Sequence, residues 1–341
     1  FLKRCLVGGI DRVFEINRDF RNEGVDATHA PEFTMVEAYQ AYGNYDTIGA
    51  LVKQLVQDTA MDVFGSHKVT LLDGTEYDFG GEWKTISMYD SLSEALGEEI
   101  VPNGGPDNPG TSVEHLGEIA DKLGVERDDV ENHGKLVEHL WEHFYEDKLY
   151  EPTFVRDFPV ETSPLVKGHR SKAGVVEKWD LYVRGFELAT GYSELNDPID
   201  QLERFQEQLQ LSEKGDDEAM FIDMDFVRAL EYGMPSCSGM GIGIDRLTMF
   251  MTDQASIQDV LFFPQMRPEK KAVSDPVEKY TEIGVPEEWV PVIQKMGYIT
   301  VEALKKLAPG KFFNDLCGFN KKNKLGLKAP SIEEVKKWCE E

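Results

Sequence analysis

Charged, aromatic and hydroxyl side chains that could bind a polar ligand are concentrated in the stretch from Arg12 to Tyr39. Its two halves alternate between apolar and polar residues, as half-buried strands do, around a polar loop. The predicted strands are Val13 to Arg21 and Glu32 to Tyr39. Because side chains alternate with period two, Phe33, Glu37 and Tyr39 share one face of the second strand. A ring, a carboxylate and a phenol therefore project together, and such a face can bind something polar and flat.

Two further acids, Asp180 and Glu187, are predicted to lie on one face of a second hairpin. The segments Trp179 to Val183 and Phe186 to Thr190 flank Arg184-Gly185, which fits a two-residue turn. In that register residue 182 faces residue 187, and the two carboxylates lie diagonally, roughly 7 to 8 Å apart. They could hold Mg²⁺ and its water against phosphate oxygens. The alternative is a solvated acidic face.

A glycine-rich segment, Gly239 to Phe250, is the third candidate for ligand contact. Three alternate glycines predict a strand that a ligand or another backbone can approach closely, followed by a helix from Ile244 to Met251. Arg246 on that helix could lie over an aromatic ring or a nucleobase. Tight packing between helix and strand would explain the same glycines, so both interpretations stay open.

The rest of the pattern supplies the elements that must position these side chains. Ile48, Leu51 and Leu55 recur at helical spacing, and Asp73-Gly74 marks a tight hairpin turn. The predicted elements are a helix from Thr47 to Val63, a hairpin from Val69 to Phe79, a mostly helical insertion over about 86–150, a strand from Pro152 to Asp157, and helices from Pro198 to Glu213 and from Asp223 to Tyr232.

Composition limits the classes of protein to consider. The chain has 341 residues, 41% of them hydrophobic, and no apolar run long enough to span a bilayer, so we expect no membrane insertion. Its four cysteines are widely spaced without a CxxC pair, which argues against zinc and against a disulfide framework, and favours a reducing cytoplasm. A net charge of -27 means that any nucleic-acid contact must use a local basic patch.

At this point the motifs carry a resemblance. FRNEG followed by HAPEFTMVEAY resembles motif 2 of the class II aminoacyl-tRNA synthetases, and GMGIGIDRLTMF resembles their motif 3. FELATGYSELND, from Phe186 to Asp197, resembles the lysyl-tRNA synthetases in particular. The resemblance covers 1–268 as the catalytic domain. It implies an α+β fold with an antiparallel sheet flanked by helices, activation of lysine by ATP and Mg²⁺, transfer of the lysyl group to the terminal ribose of tRNA(Lys), and a cytoplasmic homodimer.

The resemblance also implies residue roles. Arg21 would hold the lysine carboxylate against the α-phosphate of ATP while negative charge develops, which suits a bidentate cation. Glu23 would accept from the adenine amino group, and His29 would touch the outer phosphate. Phe33 and Arg246 would sandwich the adenine. Glu187 would serve ATP as well as the metal, Asp180 would be the second metal ligand, and the lysine-binding residues would be Glu37, Tyr39, Thr190, Tyr192, Glu194 and Gly243.

The choice of amino acid follows from charge. A buried ammonium must be paired, and Glu37, Glu194 and the Tyr39 hydroxyl can pair it, whereas a neutral amino acid would leave those groups unpaired. Aspartyl and asparaginyl relatives typically carry an acid where Tyr39 stands.

The chain departs from the family pattern in several places. Thr190 stands where many members have Asn, and Asp180 replaces a Glu metal ligand. Strict alternation puts Glu194 on the opposite face from Glu187, so we expect a bulge or turn at Gly191. Motif 1, the N-terminal OB-fold and a carboxylate for the substrate's α-amino group are expected before Phe1, so the chain alone should be weakly active or inactive. The alternatives are a paralogue that attaches lysine to a translation factor, and a catalytically dead regulatory relative.

The segment from Pro276 to Glu341 has eleven Lys against ten acids, unlike the acidic remainder. It predicts a small helical extension, with helices over Pro286 to Leu307 and Ser331 to Trp338 around a lysine-rich loop, Lys321 to Lys328. One hypothesis is a module that touches tRNA through this loop, and the alternative is a solvated charge run.

Overall fold

A computed structural model describes residues 1–21, 24–128, 130–213, 222–265 and 274–339. The chain divides into two compact units, 1–265 and 266–341. The described strands, all in the first unit, are β1 (Arg12–Phe20), β2 (Glu32–Ala41), β3 (Lys68–Thr70), β4 (Glu76–Asp78), β5 (Lys84–Ser87), β6 (Thr153–Arg156), β7 (Lys178–Val183), β8 (Phe186–Ser193) and β9 (Cys237–Gly243).

One large sheet organises the first unit. Its strand order within the described residues is β1-β2-β9-β8-β7-β6-β5, and every pair is antiparallel except β5 with β6. The α-helices of this unit are α1 (Leu2–Val7), α2 (Tyr45–Phe64), α3 (Met88–Leu96), α4 (Val113–Leu123), α5 (His133–Tyr145), α6 (Pro198–Glu213), α7 (Met224–Glu231) and α8 (Ile244–Thr252). A largely antiparallel sheet with helices confirms the predicted α+β fold. None of the described helices is both long and apolar enough to cross a lipid bilayer.

Helices cover both faces of the sheet. Strand β7 alternates between them, because Trp179 and Leu181 belong to the core that holds the buried side of α2, whereas Tyr182 belongs to the core of α3, α4 and α5. The Asn44 side chain caps α2 by accepting from the backbone N–H of Thr47 at 3.0 Å, and the helix ends at Gly65, whose φ is 69°. The sheet is therefore packed between α2 on one face and α3, α4 and α5 on the other.

The sequence placed most hairpins correctly. Strands β3 and β4 pair around the predicted Asp73-Gly74 turn, and Tyr182 faces Glu187 as expected. The φ angles of Arg184 and Gly185 are both positive, 55° and 84°, as a two-residue hairpin turn requires.

The expected bulge at Gly191 is wrong in position. Leu181 pairs with Ala189 and Tyr182 with Glu187, so the extra residue is Leu188. Gly191 instead pairs regularly with Trp179, and an added Cβ there would lie 2.3 Å from the Trp179 ring. A bulge shifts the alternation by one residue, so Glu187, Thr190 and Tyr192 all lie on one face of β8.

The second unit is helical where it is described. Its α-helices are α9 (Val277–Glu282), α10 (Val290–Lys295), α11 (Val301–Lys305), α12 (Pro309–Lys322) and α13 (Ile332–Cys339). They enclose a core around Tyr280, Trp289, Leu316 and Trp338. The predicted helix over Pro286 to Leu307 is wrong, because Gly297, with φ of 96°, ends one helix and Thr300 caps another. The sequence reading also missed α12, which contains the first lysines of the predicted loop.

Candidate active site

Three neighbouring strands form a trough floored by glycine. Glu37 on β2 pairs with Gly241 on β9, which pairs with Thr190 on β8. The next row along the same three strands is Tyr39, Gly239 and Tyr192. The glycines supply the clearance, since a Cβ at Gly239 would lie 2.6 Å from the Tyr39 ring and one at Gly241 would lie 2.2 Å from Met35 Cε.

One end of the trough opens into a cavity of about 140 Å³. Arg246, from the first turn of α8, donates from Nη1 to the Glu187 carbonyl at 2.6 Å. Asp245 anchors the same turn by accepting from the Thr34 backbone N–H at 2.6 Å. The Arg21 guanidinium lies 5.3 Å from the centroid of the Phe33 ring, within cation–π range. The predicted ATP residues in this cavity's lining are Arg21, His29, Phe33, Glu187 and Arg246.

A hydrogen-bonded chain connects the β1–β2 loop to this arginine. Asp26 accepts from the backbone N–H groups of Thr28 and His29, both at 2.7 Å, and from His29 Nδ1 at 2.9 Å. Arg246 Nη2 lies 3.1 Å from His29 Nε2. Because a guanidinium can only donate, Nε2 must accept and the ring proton is assigned to Nδ1. Burial alone would raise the pKa of Asp26, but these hydrogen bonds lower it to about 2.

The two predicted metal ligands lie on the same side of the sheet, next to a lysine. Asp180 Oδ2 pairs with Lys178 Nζ at 2.9 Å, and Lys178 Nζ also lies 3.9 Å from the centroid of the Phe158 ring. Asp180 Oδ1 is buried and has no hydrogen-bond partner among the residues that the structure describes. Burial and the neighbouring Asp180 raise the pKa of Glu187. An unpartnered carboxylate oxygen beside a second acid fits a cation, so the donor set suits Mg²⁺ completed by water and phosphate oxygens.

The other end of the trough is an acidic pocket with aromatic walls. The Tyr39 hydroxyl donates to Glu37 Oε1 at 3.4 Å, and Glu194 is fully buried. Tyr192 forms another wall. Burial, followed by the charge of Glu194, raises the pKa of Tyr39, so this hydroxyl remains a donor. Glu37 and Tyr39 also line an adjoining cavity of about 310 Å³. The pocket can therefore bind a cation that donates hydrogen bonds, such as an ammonium group.

The other predicted residues are placed as follows. Glu23 lies outside the described residues. The Thr190 Oγ1 atom is buried, and no described residue hydrogen-bonds to it, so it can bond a ligand. Gly243, predicted to bind lysine, lines the cavity of Arg21 and Arg246 instead of the acidic pocket.

Sequence reasoning missed two charged residues at the site. Lys178 stands two residues before Asp180 on β7, so strand alternation could have identified it. Lys3 on α1 forms an ion pair with Glu194, and no local pattern signals that contact.

The chain is similar in sequence to a known family and to several curated proteins. The family described as class II tRNA synthetases (D, K and N) matches residues 1–267. A lysine–tRNA ligase of Kineococcus radiotolerans is 63% identical over 269 residues, covering 79% of this chain and 52% of the relative. One from Mycolicibacterium gilvum is 60% identical over 269 residues, covering 78% of this chain and 52% of the relative.

A lysine–tRNA ligase of Porphyromonas gingivalis is 49% identical over 340 residues, which is 100% of this chain and 57% of the relative. That similarity therefore includes the second unit. The chain spans somewhat more than half the length of these curated relatives.

Proposed function

Because the chain belongs to the class II tRNA synthetases of the D, K and N family, we propose that it is the catalytic part of a lysine–tRNA ligase. Lysine attacks the α-phosphate of ATP to form lysyl-adenylate and releases pyrophosphate, and the lysyl group then passes to the 3′-terminal ribose of tRNA(Lys) with release of AMP. One observation carries the choice of amino acid: a pocket with two carboxylates, Glu37 and Glu194, forms the end of the trough away from the cavity of Arg21 and Arg246. Relatives that are named lysine–tRNA ligases support it.

Lysine binds with its side chain in the acidic pocket. Its ammonium is recognised by Glu37 and the Tyr39 hydroxyl, with Glu194 as the buried second acid and the Tyr192 ring as a wall. Burying an ammonium is costly unless it is paired, and a neutral side chain of similar length would leave the Glu37 carboxylate without a cation. Thr190 Oγ1 is available to the backbone end of the amino acid.

ATP binds in the cavity at the other end. Arg246 and Phe33 hold the adenine between a guanidinium and a ring, and Glu23 accepts from its amino group. His29 reaches the outer phosphate from the loop, and Gly243 lines the same cavity beside Arg246.

Arg21 is the residue that we assign to the chemical step. It holds the lysine carboxylate against the α-phosphate and compensates the negative charge that develops there. The attack is in line and needs no covalent enzyme intermediate, so positioning and charge supply the rate enhancement. When bound between Asp180 and Glu187, Mg²⁺ would neutralise phosphate charge. Lys178, 2.9 Å from Asp180 Oδ2, holds that carboxylate in place.

We further propose that the whole protein acts in the cytoplasm as a homodimer on lysine, ATP and tRNA(Lys). The decisive experiment is ATP–pyrophosphate exchange by the full-length gene product with each amino acid, followed by charging of tRNA. Exchange that depends on lysine is expected. Exchange that depends on another amino acid would refute the assignment of specificity, and exchange without charging of tRNA would point to a different acceptor.

A further inference from the structure

The second unit concentrates positive charge in one basic segment, Lys321 to Lys328. Its four lysines occur within eight residues that include no acid, and all four are exposed. Among the described residues, the ion pairs of this unit join Lys279 to Asp275 and Lys306 to Glu302. Neither pair includes a lysine of the basic segment, so the segment presents its charge to solvent.

The backbone of the basic segment is held in one shape. Asn320 Nδ2 donates to the Leu327 carbonyl at 2.8 Å, and Asn320 Oδ1 accepts from the Leu327 N–H at 3.3 Å. Trp289, from the core of this unit, donates from Nε1 to the Lys328 carbonyl at 3.3 Å. Between these anchors Lys324 has a φ of 53°, in the left-handed region that side chains rarely adopt. The surrounding contacts therefore dictate the turn.

Stability of the unit explains only part of this charge. Two of the four lysines lie in the last turn of α12, where cations complement the helix dipole. Lys324 and Lys328 lie beyond the helix and have no such role. Glu334 acts on Lys328 through its charge, but its carboxylate already accepts from the N–H and the hydroxyl of Ser331, at 2.6 and 2.8 Å. Most of the positive charge is therefore available to a partner.

A nucleic acid is the partner that this charge fits. The segment 276–341 contributes +1 to the net charge of -27, so the preceding 275 residues carry -28. Most of the chain therefore repels a polyanion, which needs a local basic patch to bind. Lysines are hydrated point charges that suit phosphate groups spaced along an RNA backbone. The residues assigned to the reaction all lie in the first unit, so the reaction itself does not account for the basic segment.

We propose that the four lysines of the basic segment form a preformed contact for the phosphate backbone of tRNA, which makes the second unit an RNA-binding module. Such contacts position the RNA and carry no sequence information. Because both units belong to one chain, even a weak contact raises the total affinity for an RNA that the first unit also binds. The inference rests on the proposed function, because that function makes tRNA the RNA concerned.

The test replaces the four lysines together in the full-length protein, as Lys321→Gln, Lys322→Gln, Lys324→Gln and Lys328→Gln. The Kd for a tRNA(Lys) transcript is measured by fluorescence anisotropy between about 50 and about 200 mM KCl. Each phosphate contact contributes roughly 0.7 to 0.9 to the slope of log Kd against log salt concentration, so the slope should fall by about 3. The Kd at the lowest salt concentration should rise at least about tenfold.

A second quadruple variant is the matched control. Lys279→Gln, Lys295→Gln, Lys305→Gln and Lys306→Gln remove lysines from α9, from α10 and from the end of α11, and lower the net charge by the same amount. Its salt slope should stay within about 1 of the parent's, and its Kd within about threefold. Lysine-dependent ATP–pyrophosphate exchange involves no tRNA and should stay within about twofold of the parent in both variants.

Three results would overturn the proposal. An unchanged Kd and slope after substitution of the basic segment would show that its lysines are only a solvated charge run. Equal losses in the two quadruple variants would show that net charge alone matters. If polyglutamate binds the parent as tightly as tRNA does and depends on the same four lysines, the segment fits an acidic protein surface instead of RNA.

Asn320→Leu tests whether the held backbone matters. It keeps every lysine and removes both hydrogen bonds to Leu327. The Kd for tRNA should rise about threefold, because the segment must then be ordered on binding, while the salt slope should stay within about 1 of the parent's. A Kd equal to that of the parent would contradict a preformed contact.

Failure of the proposed function gives a different pattern. In that case the unsubstituted protein shows no lysine-dependent exchange, while its Kd for tRNA and the effect of the four substitutions can still be measured. Lysine-dependent exchange together with a tRNA Kd that does not depend on the four lysines would reject this inference alone.

Discussion

Glu187 and Thr190 project from the same face of β8 although their positions differ by an odd number, because Leu188 is an unpaired residue between them. A regular strand would have put one of the two on the opposite face. The bulge therefore lets a single strand serve both ends of the trough, with Glu187 beside the ATP cavity and Tyr192 beside the acidic pocket. Bulges of this kind re-aim side chains next to active sites.

The placement of Glu187 diagonally across from Asp180, on the same face of the sheet, predicts the metal dependence of activity. Asp180→Asn removes the charge of one proposed ligand, so the Mg²⁺ concentration for half-maximal exchange should rise by about tenfold or more. The measurement is a Mg²⁺ titration of lysine-dependent exchange at saturating lysine and ATP.

Asp180→Asn also leaves Lys178 without its partner, so a matched double variant is needed. Lys178→Met with Asp180→Asn removes the unpaired charge and should keep the higher Mg²⁺ requirement. If that double variant returns to the parent's Mg²⁺ curve, Asp180 serves the ion pair only and the metal assignment fails.

Features of the fold could be predicted from the sequence where the interacting residues are close together along the chain. The register of β7 and β8 was predictable because Arg184-Gly185 signals a short turn and fixes which residues face each other. The bulge was placed wrongly because Leu188 resembles any strand residue, whereas Gly191 owes its identity to the Trp179 ring. Contacts between distant segments carry no periodic signal, and the pairing of Lys3 with Glu194 is the clearest case.

The floor of the trough predicts different effects for two glycines. In Gly239→Ala the new methyl group would collide with the Tyr39 ring, which is held by its strand, and with the buried Glu194 carboxylate. The lysine KM should therefore rise by about tenfold or more, the cost of moving a binding group by a fraction of an ångström. Gly241→Ala meets the terminal methyl of Met35, a flexible side chain that can move aside.

Steady-state exchange separates the two variants, and Gly241→Ala is the matched control for a methyl group on the same strand. A lysine KM that rises equally in both would mean that the strand as a whole is displaced. The proposed division of the trough would then lose its support.

The contacts of Arg246 predict a role in ATP binding that a lysine side chain at position 246 could not take over. Arg246→Lys keeps the charge but loses the planar group that bonds both Glu187 and His29, so the KM for ATP should rise about ten- to hundredfold. His29→Ala removes one acceptor and leaves the bond to the Glu187 carbonyl, so its effect should be smaller. Equal KM values for ATP in Arg246→Lys and the parent would contradict the proposed adenine contact.

The ionisation of Glu37 predicts a conflict between stability and binding. Burial, and then the charge of Asp19, raises the pKa of Glu37 above its ordinary value of 4.5. An acid whose folded pKa is raised binds its proton more tightly in the folded state, so its ionisation costs folding free energy. This loss of folding free energy is zero at pH values below the pKa of Glu37 in the unfolded chain. It reaches its full size at pH values above the pKa of Glu37 in the folded protein.

Glu37→Gln removes this cost, so its stability relative to the parent should increase as the pH rises from 4.5 through the folded pKa of Glu37. Lysine binding should change in the opposite sense, because only the ionised carboxylate pairs the ammonium. The lysine KM of the parent should fall as the pH rises through the same window, and that of Glu37→Gln should be higher and flat. Urea unfolding across that pH range measures the stability difference, and exchange kinetics measure the lysine KM. If the lysine KM of the parent and that of Glu37→Gln change with pH in parallel, Glu37 is not the partner of the ammonium.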